Sequence, residues 1–246
     1  MSSPIQIALI TGANTGVGEA VARSLALKHE YHVIIGSRNL AAGTAVTSSL
    51  QERGLRASAI HLDLADEASI QAAARTIETD FGRFDVLVNS AAVFLELDPR
   101  NAGLTLRQRF EQTFVPNLFG QADITEAVLP LLRKASVPRI VFVSSRLGSL
   151  ANALDPKAAF YENDFRPYNC SKASLNVLAI NYARMLDNVG GLVNVVCPGL
   201  VKTRLSNYAE AGHSPEVGAE RIVQMATLGK EGPTRTFSDR SGLILW

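Results

Sequence analysis

A short apolar run at residues 5–10 gives way at once to Thr11-Gly12-Ala13-Asn14-Thr15-Gly16-Val17-Gly18. Beyond it, Ala20, Val21, Ser24, Leu25 and Leu27 recur at roughly helical spacing. Strand, glycine-rich turn and helix in immediate succession is the setting that a dinucleotide-binding turn requires. Glycines permit the tight turn and let backbone N–H groups approach a pyrophosphate at the positive end of the helix. The spacing here is Gly-x-x-x-Gly-x-Gly rather than Gly-x-Gly-x-x-Gly, and a glycine-rich turn alone also serves as an ordinary connection. Its position directly after the first strand favours the binding role.

The same alternation continues along the chain. A second strand over 32–36 ends in Ser37-Arg38-Asn39. Readers of NAD carry an acidic residue about 20 positions past the glycines, and this chain has neither Asp nor Glu there. The Arg38 guanidinium suits a 2′-phosphate through charge-assisted hydrogen bonds, with the Ser37 hydroxyl beside it. The expected cofactor is therefore NADP(H). A helix over 40–53 and a strand over 56–62 lead to Asp63-Leu64. Asp66-Glu67 opens a further helix through 79, with acids at its positive end. A fourth strand over 84–88 closes on Asn89-Ser90-Ala91-Ala92.

Residues 105–133 read as helical, with Pro116 predicting a bend or interruption just before Asn117 and Pro130 a late kink. A fifth strand over 139–143 runs into Ser144-Ser145-Arg146-Leu147-Gly148. Residues 150–166 lack periodicity, contain Asp155-Pro156 and Arg166-Pro167, and read as a loop. The helix over 168–186 carries a buried stripe of Leu175, Leu178, Ala179, Tyr182, Ala183 and Leu186. A sixth strand over 192–196 ends in Cys197-Pro198-Gly199-Leu200-Val201-Lys202-Thr203. A helix over 215–228 and a Gly-, Pro- and Thr-rich tail with an apolar finish at 242–246 complete the chain. Strands alternating with helices imply right-handed crossovers and an α/β Rossmann fold, a doubly wound, mainly parallel sheet with helices on both faces. With no linker or repeat, residues 1–246 are expected to form a single domain.

Composition narrows the partners. At 246 residues and 47% hydrophobic, the chain is long and apolar enough for one large core. A net charge of +1 without a basic run argues against nucleic acid or an anionic membrane as the partner. Cys170 and Cys197 make neither a disulfide framework nor a metal spacing. His29 and His32 fall across a helix end and a strand start, so no metal site is expected. With no membrane-length run and no leader-like opening, a soluble protein of the reducing cytoplasm is the expectation. Asn169-Cys170-Ser171 matches a glycosylation sequon, but lies inside a helix and is discounted.

Tyr168 and Lys172 stand four apart, so on a helix the ammonium would sit beside the phenol. A tyrosine ionises near pH 10. A nearby positive charge would lower that value and make the phenol a usable proton donor and acceptor. Alone, such a pair is a common accident of a solvated helix.

Taken in order, the glycine turn, Asn89, Asn117, Ser145, Tyr168, Lys172 and the Pro198-Gly199 turn make residues 5–203 resemble the classical short-chain dehydrogenase/reductase family. The tail, Gly232-Pro233-Thr234-Arg235-Thr236-Phe237 with Asp239 and Trp246, resembles the ending of its carbonyl-reductase-like members. The resemblance implies Tyr168 as proton donor, Ser145 as holder of the substrate oxygen, and Lys172 as the group that lowers the tyrosine pKa and binds the nicotinamide ribose. Asn117 would anchor a water chain. Gly12, Asn14, Thr15, Gly16, Val17 and Gly18 would cradle the pyrophosphate, and Ser37, Arg38 and Asn39 the 2′-phosphate end. Asp63 and Leu64 would meet the adenine, Asn89 and Ala91 the adenosine side, and Pro198, Gly199, Val201 and Thr203 the carboxamide.

Three features depart from the family pattern. Its Asn-Asn-Ala-Gly reads Asn89-Ser90-Ala91-Ala92, proline precedes Asn117, and the interval from Ser145 to Tyr168 is longer than in most members. The extra residues, including Phe160, Tyr161 and Phe165, are expected to line the substrate or to cover a helix that otherwise faces a second subunit. The implied activity is NADPH-dependent reduction of a small apolar ketone, aldehyde or quinone. Alternatives are alcohol oxidation with NADP+ and a non-catalytic dinucleotide-binding regulator. A homodimer or tetramer is expected, or a monomer if the inserted segment blocks the helix face. Hydrolase and kinase readings fail for want of Gly-x-Ser-x-Gly and Gly-Lys-Ser/Thr.

Overall fold

The apolar runs of the sequence become the inner strands of one sheet. A computed structural model describes residues 5–246. The first four strands are β1 (Ile7–Thr11), β2 (His32–Ser37), β3 (Ala57–His61) and β4 (Val86–Asn89). Then come β5 (Arg139–Val143), β6 (Leu192–Val196), β7 (Phe237–Asp239) and β8 (Gly242–Leu243). They lie in the order β3-β2-β1-β4-β5-β6-β7-β8. Every pairing is parallel except that of β7 with β8. The chain winds outward through β2 and β3, then returns to the other side of β1 for β4. Between β1 and β4 lies the switch point at which such sheets open a crevice beyond their carboxyl ends.

Strand residues alternate between two cores. Ile7 and Leu9 face one side with α3 (Glu67–Phe81), α5 (Gly120–Leu132) and α7 (Arg166–Met185). Ala8 and Ile10 face the other with α1 (Gly16–His29), α2 (Leu40–Gln51) and α8 (Pro215–Ala226). Burial on both faces explains why β1 and β5 are apolar without alternation. Removing a leucine or isoleucine side chain from water at such positions contributes about 1.5–3 kcal/mol. Two shorter helices, α4 (Leu106–Phe114) and α6 (Leu150–Ala153), lie outside these cores.

Pro116 does interrupt the regular helix: residues Val115–Phe119 form a π-helical turn between α4 and α5, and Asn117 lies in it. Pro130 falls inside α5. The expected loop at 150–166 is corrected at both ends. Residues Leu150–Ala153 form α6, capped by the Ser149 hydroxyl, and Arg166-Pro167 begin α7. Proline is tolerated in a first helical turn because its missing N–H has no intrahelical partner there. In the tail, Phe237–Asp239 adds a parallel strand to β6 that the polar sequence does not announce. Asn194 draws it in, donating to the Pro233 carbonyl and accepting from the Thr236 backbone and hydroxyl.

Candidate active site

The carboxyl end of β1 is clamped to that of β4. The Thr11 hydroxyl accepts hydrogen bonds from the Ser90 and Ala91 N–H groups, both at 3.0 Å. Gly12 follows at φ +66°, and a Cβ there would come within 2.9 Å of the Ala91 Cα. Gly16, at φ +59°, abuts the Thr203 methyl across the crevice. Residues 12–18, 91 and 203, far apart in sequence, therefore share one cradle. Thr15 stands at the N-cap of α1 in an extended conformation, but its side chain makes no capping bond. The positive end of α1 keeps backbone donors unclaimed by side chains, facing this cradle.

At the end of β2 the candidate residues divide. The buried Ser37 hydroxyl donates to the Asn39 carbonyl at 2.8 Å and accepts from the Asn39 N–H at 3.1 Å. Asn39 caps α2 by accepting from the Ala42 N–H. Both polar side chains thus help to build the turn. Arg38 is exposed and makes no hydrogen bond or ion pair among the described residues. The Asp63 carboxylate accepts from the Ala65 N–H at 2.9 Å, and Leu64 is buried in the core. Asn89 is fully buried and donates to the Thr125 hydroxyl of α5 at 3.0 Å. Its amide braces the framework, and its carbonyl oxygen is buried without a hydrogen-bond partner. Beyond β6, Val201 is buried and forms a parallel bridge with His213.

The second cluster gathers between β5 and α7. Ser145 follows β5 and caps the turn Arg146–Gly148, accepting from the Leu147 N–H. That turn lies flush against α7: a Cβ on Gly148 would come within 2.6 Å of the Lys172 carbonyl carbon. The Ser144 hydroxyl donates to Asn176 at 2.7 Å, and the Asn176 amide donates to the Gly148 carbonyl at 3.1 Å. Lys172 is buried, donates to the Val143 carbonyl at 2.9 Å, and holds its ammonium 5.7 Å from the centre of the Tyr168 ring. Asn117 is fully buried. Its carbonyl oxygen accepts from the Val93 N–H at 2.8 Å, and its amide donates to the Val93 carbonyl and the Ser171 hydroxyl. Ser171 in turn donates to the Tyr168 carbonyl.

The Tyr168 ring is covered. Phe94 stacks on it with centroids 3.8 Å apart and planes 5° from parallel, and Phe165 meets Phe94 edge-on. Phe160 and Tyr161, the other aromatics of the inserted segment, are exposed. Such burial reverses the expected titration. Desolvation pushes the Tyr168 phenol above its ordinary value, and the charges of Cys197 and Glu96 add to it, while the Ser145 hydroxyl draws it partly back. The same burial lowers the Lys172 ammonium to about 8. Loss of water penalises the phenolate, and at the pH where this phenol ionises Lys172 has already given up its proton.

Several members of the site carry no motif: Thr11, Phe94, Glu96 and the Ser144–Asn176 pair. Only the polarity of Ser144 and Asn176 beside apolar neighbours could have marked any of them. Both cysteines are free, and among the described residues no cluster of His, Cys, Asp or Glu could hold a metal. No helix among them is long and apolar enough to cross a membrane.

The glycine turn after β1 and the Ser145–Tyr168–Lys172 cluster after β5 both lie at the carboxyl ends of parallel strands of one sheet. The family model described as short chain dehydrogenase matches residues 6–213. The short-chain dehydrogenase/reductase ATR10 of Stachybotrys chlorohalonatus is 36% identical over 97% of this chain and 89% of its own length. Carbonyl reductase [NADPH] 1 of Sus scrofa is 30% identical over 100% of this chain and 96% of its own. Among solved structures, salutaridine reductase from Papaver somniferum superposes with a TM-score of 0.79 at 26% identity, covering 96% of this chain and 99% of that one. The chain belongs to the short-chain dehydrogenase family, and with it to the oxidoreductases.

Proposed function

We propose that this chain is an NADPH-dependent reductase of carbonyl groups on small, largely apolar molecules. The observation that carries this is the meeting of Ser145, just after β5, with Tyr168 and Lys172 of α7. NADPH fits the glycine turn after β1. The positive-φ glycines leave room where any Cβ would collide, the end of α1 keeps donors for a pyrophosphate, and Arg38 is free for a 2′-phosphate. The carbonyl reductase relative supports the same choice, since its name carries NADPH.

When bound, the cofactor supplies the hydride. The chain itself supplies position and a proton. Tyr168 gives its phenolic proton to the carbonyl oxygen, and the Ser145 hydroxyl holds that same oxygen. Negative charge grows there as the reaction proceeds, so two donors aimed at it stabilise the transition state more than the ground state. Burial keeps the phenol in its protonated form, the form that donates. Lys172, titrating at about 8, is an ammonium at neutral pH and offsets the charge left when the phenol gives up its proton. Asn117 positions the Val93 backbone against Ser171. Phe94 and Phe165 give the substrate side an aromatic wall.

Tyr168→Phe tests the proposal. Turnover of NADPH against a panel of ketones, aldehydes and quinones is expected to fall by about 10²- to 10⁴-fold, the worth of a positioned proton donor. NADPH binding, followed by fluorescence titration, stays unchanged. Turnover that survives the substitution rejects Tyr168 as the donor.

A further inference from the structure

The first turn of α7 has a donor that the helix cannot satisfy. Its N-cap, Phe165, provides no capping side chain, and Pro167 has no N–H. The first backbone bond of the turn runs from the Asn169 N–H to the Phe165 carbonyl. The Tyr168 N–H is left over, on the residue whose phenol must be held most closely. Glu96 takes it: its carboxylate accepts from the Tyr168 N–H at 3.0 Å, from 72 residues away in sequence. We infer that Glu96 is a positioning residue for Tyr168, capping the catalytic helix from the facing loop.

The neighbours of Glu96 act on the same residue. It lies in a short 3-10 turn, Leu95–Leu97. Just before it, Phe94 stacks on the Tyr168 ring, and Val93 is gripped through both backbone groups by Asn117. Glu96 therefore holds the tyrosine backbone, and Phe94, two residues earlier, packs flat on its ring. A carboxylate suits the positive end of a helix, and its bond to an N–H is charge-assisted. Its second oxygen is buried without a hydrogen-bond partner. An uncompensated carboxylate oxygen costs stability, so general packing does not explain this side chain, whereas an acceptor for the Tyr168 N–H does.

The carboxylate also faces the phenol electrostatically. The other groups around that phenol are Cys197 at the end of β6, Ser145 after β5, and Lys172 on α7 itself. Glu96 opposes ionisation of Tyr168, so removing its charge makes the phenolate easier to form.

The inference rests on Tyr168 as the proton donor, and three variants separate the two claims. Glu96→Ala removes both cap and charge. Its kcat is expected to fall by roughly tenfold to a hundredfold, the scale of a misplaced reacting group, while the Kd for NADPH stays within about twofold because the cradle is not touched. Glu96→Gln keeps an acceptor for the Tyr168 N–H. It recovers most of kcat, and the basic limb of its pH–rate profile moves to lower pH than in the parent. Wild-type kcat and pH profile in Glu96→Ala would overturn the assignment. So would parallel losses of NADPH affinity, thermal midpoint and kcat in both Glu96 variants, which mark a merely structural role. If Tyr168→Phe keeps turnover, the donor reading fails and the Glu96 assignment fails with it. If Tyr168→Phe is inactive and Glu96→Ala is untouched, only the Glu96 assignment falls.

Discussion

The helices α1 and α7 both begin beside the site without a capping side chain of their own, and they resolve that lack in opposite ways. At α1, Thr15 leaves the end open and glycine keeps side chains away from it. At α7, a carboxylate from a distant loop closes the end, and an aromatic ring covers the tyrosine held there. An open positive end is a place for an anion. A closed one, desolvated, holds a phenol neutral and still. Elsewhere α2, α3, α4 and α8 are capped by their own Asn39, Asp66, Thr105 and Ser214. α5 also lacks such a cap, but it continues directly from the π-helical turn, so α1 and α7 are the uncapped helices that begin from a non-helical residue.

The comparison can be broken at α1 with the largest effect. Gly12→Val places a β-branched residue at φ +66° against the Ala91 Cα. Strain of about 1–3 kcal/mol is expected in chemical denaturation, with NADPH binding lost in the same titration that Tyr168→Phe leaves intact. A smaller and more selective change is Arg38→Asp. Losing a charge-assisted contact of about 1.5–3 kcal/mol should weaken NADPH by roughly tenfold to a hundredfold, and NADH far less. Equal losses for both nucleotides would remove Arg38 from the 2′-phosphate.

The closed end of α7 is tested through its buried ammonium. Lys172 titrates at about 8 when folded, against about 10.4 in an unfolded chain. Between those values the unfolded state binds more protons, so stability contributed by this residue rises with pH. The stability of the parent relative to Lys172→Met should therefore climb from about pH 8 to pH 10, by no more than about 1.4 kcal/mol per unit, and stay level below that window. A flat difference across it would show that the ammonium is not desolvated. The smallest effect is expected at an ordinary cap. Asp66→Ala should cost about 1 kcal/mol of stability and leave NADPH binding and turnover as they were.

Much of the scaffold was legible because its signals are local. The strand Leu192–Val196 and the start of α8 at Pro215 fall where the sequence reading places them. Pro116 foretold the irregular turn around Asn117. In α7, Leu175, Ala179, Tyr182, Ala183 and Leu186 are buried as a stripe, with Leu178 partly buried against the core. Three-residue β7 escaped notice, since its pairing depends on β6 and on Asn194 rather than on its own pattern. Of the candidate ligand residues, Gly12, Gly16, Ala91 and Thr203 come together, and Ser37, Asn39 and Asn89 each make a hydrogen bond within the turn or the framework.

By itself the order of residues determined the winding of the sheet, the glycine cradle and the four-residue step from Tyr168 to Lys172, all of which arise from periodicity and backbone sterics over a few residues. Tertiary structure alone decided that Glu96 caps Tyr168, that Phe94 covers its ring, and that the phenol is pushed up in pKa rather than down. The reason is physical: hydrogen bonds across 72 residues and the loss of water around a side chain exist only once distant segments have met.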